Sequence, residues 1–429
     1  MRAWQRPVIP VLPGRSEAPL VFDTASNGLV AAETHDIARL YVCGITPYDA
    51  THLGHASTYL AFDTLHRVWL DAGYHVHYAQ NITDVDDPLL ERAAVTGVDW
   101  RALADEQIEL FRTDMLSLRV IPPDNYVAVT EAVEPIARAV SKLWEAGLAY
   151  AVESPDAVSD SDIYFDTELA SERSPWTLGD ESNLDRATML ALFAERGGDP
   201  ERPGKRHPLD PLLWRAERAG EPAWTSAFGA GRPGWHIECS VIALQHLGRD
   251  FTVQGGGSDL VFPHHEMSAG HAAALSGQPL AQLYSHAGMV SYRGEKMSKS
   301  LGNLVLVSRL REAGVDPRAI RIAVLGEHYR SDWEWTDAAL AGAQRRLGTW
   351  SAAFAAHDRG TGEEGSAREL LAAVRAVLHN DLDTPAALVF VDRAAEAGVD
   401  DNRLVVELLD ALVGVDVRAG SARPGAQPE

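Results

Sequence analysis

Two clusters of side chains in this 429-residue chain have the residue types and spacing needed to handle phosphate. Residues 43–55 read Cys-Gly-Ile-Thr-Pro-Tyr-Asp-Ala-Thr-His-Leu-Gly-His. His52 and His55 can donate hydrogen bonds to phosphate oxygens, and Gly54 between them lets backbone approach a ligand closely. Taken alone, the histidine pair is equally compatible with packing at a helix start. The second cluster, residues 296–300, reads Lys-Met-Ser-Lys-Ser and runs on into Leu301, Gly302 and Asn303. Lys296 and Lys299 with two hydroxyls on a glycine-flanked loop can clamp a triphosphate. A solvated basic loop is the plainer reading of any one lysine pair.

The elements around these clusters suit that chemistry. Residues 40–43 form a short apolar run that reads as a buried strand. Ala61, Leu65, Val68 and Ala72 recur at helical spacing on one face, and Gly73 ends that helix. Residues 75–82 read as the next strand, so strand, helix and strand follow in order and favour a parallel sheet with a right-handed crossover. The histidine pair then lies between a strand and a helix N-terminus, where unpaired N–H groups and the helix dipole attract phosphate. Residues 103–118 and 133–144 read as helices. Later strands are expected at 251–254 and 284–290.

The remaining chain divides by composition. Residues 1–38 read as a proline-containing lead-in with one short strand near 20–22. Residues 151–225, rich in Ser, Asp, Pro and Gly, read as an insertion with strand-like pieces such as 163–165. Past Asp316 the pattern turns helical. Leu340, Leu347, Trp350 and Phe354 share a face, as do Leu371, Val374 and Leu378, and Val405, Leu408 and Leu412 close the bundle. Thr384 and Pro385 read as an N-cap and first helical residue.

The histidine pair early in a parallel sheet and the lysine loop late in it together resemble the two signatures of class I aminoacyl-tRNA synthetases, which adenylate a carboxylate. Further motifs narrow the resemblance. These are Tyr41 to Gly44, Asn81-Ile-Thr-Asp-Val-Asp-Asp87, Arg232-Pro-Gly-Trp-His-Ile-Glu-Cys-Ser240, and Gly255-Gly-Gly-Ser-Asp-Leu-Val-Phe-Pro-His-His-Glu266. From about residue 20 to about residue 336 the chain resembles the cysteinyl-tRNA synthetase family. The fold this implies is α/β: a Rossmann-like parallel-sheet catalytic core with an insertion, followed by a C-terminal helical bundle. The expected division is residues 1–150 and 226–315 as the two halves of the core, 151–225 as the insertion, 316–416 as the bundle and 417–429 as a tail.

The resemblance also implies a site. His52, His55, Lys296 and Lys299 would stabilise charge on the phosphates. Cys43, Gly44, Ile45, Thr46, Thr58, Asn81, Ile82, Thr83, Trp235, Gly257, Ser258, Asp259 and Val290 would contact the adenylate or substrate. Cys43, Cys239 and His264 would hold one Zn²⁺ that takes the substrate thiolate. Mg²⁺ is expected with ATP. The synthetases usually place a further glutamate ligand four residues after the histidine, where this chain has Ser268. Three protein ligands would leave a fourth position open for the thiolate. Glu266 is a weaker candidate for that position.

Residues 45–55, the run Glu195-Arg-Gly-Gly-Asp-Pro200 and Ser57 resemble the mycothiol-pathway branch of the family, the ligases that join L-cysteine to glucosaminyl-inositol. Substrates implied are ATP, L-cysteine and the amino sugar, with no nucleic acid. The last residues, with two arginines and no lysine, show no basic stripe for tRNA, and no anticodon-binding domain is expected. The reading kept beside this one is a shortened cysteinyl-tRNA synthetase, followed by a non-catalytic cysteine or zinc sensor. The general base for amine attack is not visible; Asp84 is one possibility.

Composition sets outer bounds. With 38 Lys and Arg against 61 Asp and Glu, the net charge is −23, which excludes a basic nucleic-acid coat. Two cysteines argue against a disulfide-stapled secreted fold. No signal peptide and no stretch of about 18 apolar residues is evident. A cytoplasmic monomer with reduced thiols is expected.

Overall fold

The computed structural model describes residues 1–35, 37–48, 51–158, 161–297, 302–355, 358 and 360–418, without the Lys296 side chain. Lys299 lies outside the described residues. A five-stranded parallel sheet forms the centre: β1 (Ile37–Val42), β2 (His75–Ile82), β3 (Asn125–Ala128), β4 (Phe251–Gly257) and β5 (Ala281–Ala287), in spatial order β5-β4-β1-β2-β3. Along β1 and the residue after it, Leu40 and Val42 enter one hydrophobic core while Tyr41 and Cys43 enter the other. A strand's period of two therefore feeds two cores at once, as a sheet covered on both faces requires.

Helix α1 (Leu53–Ala72) covers the first face. His52 caps it, its Nδ1 accepting from the Gly54 N–H at 3.1 Å, and Gly73 ends it at φ +90°. Helix α2 (Arg186–Glu195) lies in the insertion, α3 (Trp235–Leu247) and α4 (Glu266–Ser276) cover the second face, and α5 (Pro317–Leu325) leads into the C-terminal helices. Among the described residues no helix is long and apolar enough to cross a membrane.

Several expectations shift. The lead-in carries a hairpin, Leu20–Asp23 with Gly28–Ala31, rather than one strand. The insertion region is ordered as an antiparallel sheet running from Ala149–Glu153 to Gly229–Pro233. The strand expected at 284–290 stops at Ala287, and Val290–Tyr292 joins a separate small sheet with Glu295–Lys296 and Trp333–Trp335. The cap of helix Thr384–Ala397 is Asp383, whose carboxylate accepts from the Ala386 N–H at 2.9 Å; Thr384 is already helical.

One buried ion cluster bolts α1 to the C-terminal helices. Asp63 accepts from Arg67 Nε at 2.7 Å, from an Arg321 guanidinium nitrogen, and from the Ile121 N–H at 2.8 Å. The other guanidinium nitrogens close off carbonyls: Arg67 bonds those of Asp410, Ala411 and Arg119, and Arg321 those of Val413 and Leu118. All three side chains are 0–1% exposed. Burial works against the Asp63 charge, yet Arg67 and Arg321 outweigh it and bring its pKa down to about 2. Since the folded value lies below the unfolded one of about 3.9, this contribution is complete above that pH and is lost as pH falls through about 2. Asp63→Ala leaves two guanidiniums buried without their counter-charge and is expected to destabilise the fold by about 3–5 kcal/mol. Urea unfolding at pH 7 measures this; a loss within about 0.5 kcal/mol, as for an ordinary surface change, contradicts it.

Candidate active site

The site forms where β1 and β4 lie side by side and their onward chains part to opposite faces, the crevice in which open α/β sheets bind ligands. Cys43 follows β1 directly. Its Sγ stands 3.8 Å from Cys239 Sγ, which α3 presents, and His264 Nε2 stands 3.2 Å from Cys239 Sγ. The three donor atoms all lie within 4.8 Å of one another and the residues are buried. The sulfur atoms are too far apart for a disulfide.

Burial pushes the Cys43 thiol up, and the neighbouring Cys239 adds to this. Burial acts on Cys239 too, but the hydrogen bond from Cys43 and the His264 imidazole outweigh it and hold Cys239 well below the usual thiol range. One thiolate is thus already favoured in the pair. Two soft sulfurs and an imidazole, buried and convergent, fit a zinc ion with an open position. His264 is held by His236, Nδ1 to Nδ1 at 3.1 Å, and by the Trp235 ring 4.4 Å away.

Glu266, the substitute ligand weighed from sequence, does not join them, and Ser268, at the position of the usual glutamate, is bonded elsewhere. The Ser268 hydroxyl donates to the His236 carbonyl at 3.0 Å. The Glu266 carboxylate accepts from Trp176 Nε1 (3.0 Å), the Gly179 N–H (2.9 Å) and the Ser182 N–H (2.9 Å), and so fastens the insertion to α4. Asp84 is similarly committed, accepting from the N–H and the hydroxyl of Thr130.

A cavity of about 400 Å³ opens beside the triad. Of the residues singled out in the sequence, Cys43, Gly44, Ile45, Thr46, His52, His55, Thr58, Trp235, Gly257, Asp259 and Val290 line it. Asn81, Ile82 and Thr83 stand behind the wall. Asn81 Oδ1 accepts from the Gly44 N–H at 2.8 Å and the Tyr41 hydroxyl at 3.2 Å, and its Nδ2 reaches Thr83 Oγ1 at 3.1 Å. β1 and β2 approach so closely there that a Cβ on Gly44 would sit 1.6 Å from the Asn81 carbonyl oxygen. Ser258 begins the turn after β4 and does not line the cavity.

The rings of His52 and His55 stack at 3.8 Å. Because His52 Nδ1 accepts the Gly54 N–H, its proton sits on Nε2. Before the lysine loop, Lys296 sits on the strand Glu295–Lys296, and after it the chain pairs with the start of α1: the Leu53 N–H bonds the Val305 carbonyl (2.9 Å) while the Val307 N–H bonds that of Thr51 (3.0 Å). The start of α1 and the chain leaving the lysine loop are therefore one ladder.

A polar relay was not singled out from sequence. Thr24 Oγ1 meets His286 Nδ1 at 2.7 Å, His286 Nε2 meets His265 Nδ1 at 2.7 Å, and His265 Nε2 stands 3.3 Å from Cys43 Sγ. Gln254 Nε2 also approaches Cys43 Sγ at 3.3 Å. His265 adjoins His264 in its motif, which is a signal; His286 and Thr24 come together only through the β4–β5 pairing and the hairpin beside it.

Residues 30–345 match the family described as tRNA synthetases class I (C) catalytic domain. The L-cysteine:1D-myo-inositol 2-amino-2-deoxy-alpha-D-glucopyranoside ligase of Clavibacter michiganensis is 63% identical over 429 residues, covering 98% of this chain and 100% of the relative. The chain belongs to this ligase family, built on the class I synthetase domain. The ligase of the same name from Paenarthrobacter aurescens is 56% identical over 97% of this chain and 100% of its own length. Among solved structures, Mycobacterium tuberculosis methionyl-tRNA synthetase with methionyl-adenylate shares the fold at a TM-score of 0.58 and 18% identity, covering 85% of this chain and 82% of that one.

His55 offers a test of the site's electrostatics. Burial, and then the His52 ring, holds its pKa well below the usual histidine value, so it is a neutral donor at physiological pH. In ring-labelled protein, with the His55→Asn variant identifying the resonance, the His55 signal is expected not to move between pH 7.5 and about 6, where an unperturbed imidazole would titrate. A shift centred near 6.5 contradicts the assignment. The unfolded chain takes up this proton first, so the group's contribution to stability falls as pH drops below about 6.5.

Proposed function

We propose that the chain ligates L-cysteine to the amine of glucosaminyl-inositol through a cysteinyl-adenylate, consuming ATP and giving the cysteinyl amide, AMP and pyrophosphate, as a step of mycothiol biosynthesis. The observation that carries the proposal is the buried thiol–imidazole triad, whose Cys43 lines the same cavity as His52 and His55. A thiol-selective centre and a phosphate-handling centre share one crevice, as adenylation of cysteine requires. The names of the near-full-length relatives agree with this reading.

In the first step the cysteine carboxylate attacks the α-phosphorus of ATP and pyrophosphate leaves. His52 and His55 donate to the phosphate oxygens, Lys296 and Lys299 supply positive charge, and magnesium accompanies the nucleotide. Gly44, Ile45, Thr46, Thr58, Trp235, Gly257, Asp259 and Val290 form the walls that hold the adenylate, with Asn81, Ile82, Thr83 and Ser258 shaping them from behind. In the second step the neutral sugar amine attacks the acyl carbon, the amide forms and AMP departs. Cys43, Cys239 and His264 would hold one zinc ion, which when bound selects a thiolate over a hydroxyl and lowers the thiol pKa. The working unit is taken as a single cytoplasmic chain, with residues 226–315 completing the core begun by 1–150 around the insertion.

The test is to incubate the protein with ATP and cysteine, adding either glucosaminyl-inositol or tRNA, and to weigh the products. The amide is expected; cysteinyl-tRNA without amide would establish the shortened synthetase in its place. Cys239→Ser is expected to lose zinc and to narrow the preference for cysteine over serine in pyrophosphate exchange. Metal analysis of that variant returning one full equivalent would remove Cys239 from the ligand set.

A further inference from the structure

One motif has no part in the reaction as proposed: residues 195–200, Glu-Arg-Gly-Gly-Asp-Pro. Arg196 is the C-cap of α2, its N–H still bonded to the Leu192 carbonyl. Gly197 follows at φ +86°, and the Gly198 N–H closes on the Phe193 carbonyl at 2.8 Å. The turn is so tight that a Cβ on Gly198 would stand 2.3 Å from the Phe193 ring. A left-handed residue followed by a residue with no room for a side chain calls for two glycines. Beyond the turn Asp199 accepts from the Tyr164 hydroxyl and from Lys205 Nζ, the latter at 2.9 Å. Phe193 packs with Phe262 and Met267, so the end of α2 is glued to the segment that carries His264.

The turn delivers one guanidinium to that segment. Arg196 Nη1 donates to the Asp259 carbonyl at 2.5 Å and to the Phe262 carbonyl. Helical bonding is broken there: Ser258–Leu260 is a single tight turn, and Phe262 has φ −142° and ψ 137° within Val261–His265. A kink takes carbonyls away from helical partners, and a charged donor satisfies them more strongly than a neutral one. Asp259 lines the cavity, and His264, two residues past Phe262, completes the triad.

We infer that Arg196 is a positioning residue: by bridging the Asp259 and Phe262 carbonyls it sets where the Asp259 carboxylate and the His264 imidazole stand, so the insertion acts on the catalytic centre without touching substrate. The inference rests on the proposed reaction. Its test compares wild type, Arg196→Ala, Arg196→Lys and, as an exposed neighbour, Glu195→Gln. Each is measured for cysteine-dependent ATP–pyrophosphate exchange, for zinc transfer to a chelator and for the midpoint of thermal unfolding. Arg196→Ala is expected to lower kcat by about 10- to 100-fold, the range for groups that support metal ligands from behind, and to speed zinc transfer. Arg196→Lys is expected to fall between it and wild type, with Glu195→Gln unchanged. Wild-type kcat and wild-type zinc transfer in Arg196→Ala, with only the midpoint lowered, would overturn the inference and leave a purely structural tie. Should that variant not fold, Arg196→Gln carries the same comparison and the same two outcomes. Absence of exchange in the wild type would sink the reaction instead, and zinc transfer would then decide the role of Arg196 by itself.

Discussion

The site depends on a topological constraint at the centre of the sheet. β1 and β4 are parallel, hydrogen-bonded neighbours, yet the chain leaving β1 enters α1 on one face while the chain leaving β4 reaches α4 on the other. Two chains that separate at adjacent strand ends must leave an opening between them, with backbone groups that no neighbour covers. Cys43 lies at one lip of that opening and Gly257 at the other. The α1 N-terminus, the Asn81 brace and the turn at Ser258–Leu260 all serve to keep the opening in shape.

Charge inside the opening differs from charge on the molecule. The chain as a whole carries −23, yet the cavity walls named above include His55, an imidazole that burial holds uncharged, stacked on His52. A neutral imidazole in a poorly hydrated site still presents a strong, fixed N–H dipole. It also avoids the cost of burying a cation when no nucleotide is present. His55, deeply buried, is suited to that arrangement in a way that an exposed histidine would not be.

How much could be read beforehand varied with the range over which each feature is determined. Strand β2 was readable at its true bounds, residues 75–82, and α1 was readable through its helical spacing up to Gly73, because those patterns are local. The insertion was read as a region rich in Ser, Asp, Pro and Gly with strand-like pieces such as 163–165, which the strand Ser161–Phe165 matches, but not as a sheet. Its strands are short and pair across long separations, as Ile163 does with Trp214, so no window of sequence holds the partners together. The cap at Asp383 instead of Thr384 turned on which side chain reaches the Ala386 N–H. The triad followed from family motifs alone, since nothing in a separation of 196 residues suggests contact. Of the Thr24–His286–His265 relay, only His265 lay in such a motif; Thr24 and His286 had none to reveal them.

That long separation has a consequence during synthesis. Cys43 and the strand leading to it are made early, but Cys239 and His264 follow about two hundred residues later. A growing chain therefore exposes an isolated cysteine with no metal site around it until the segment through His264 has emerged and β4 has docked beside β1. A metal ion taken by all three residues would load only after assembly of the core, once the two halves of the sheet have met.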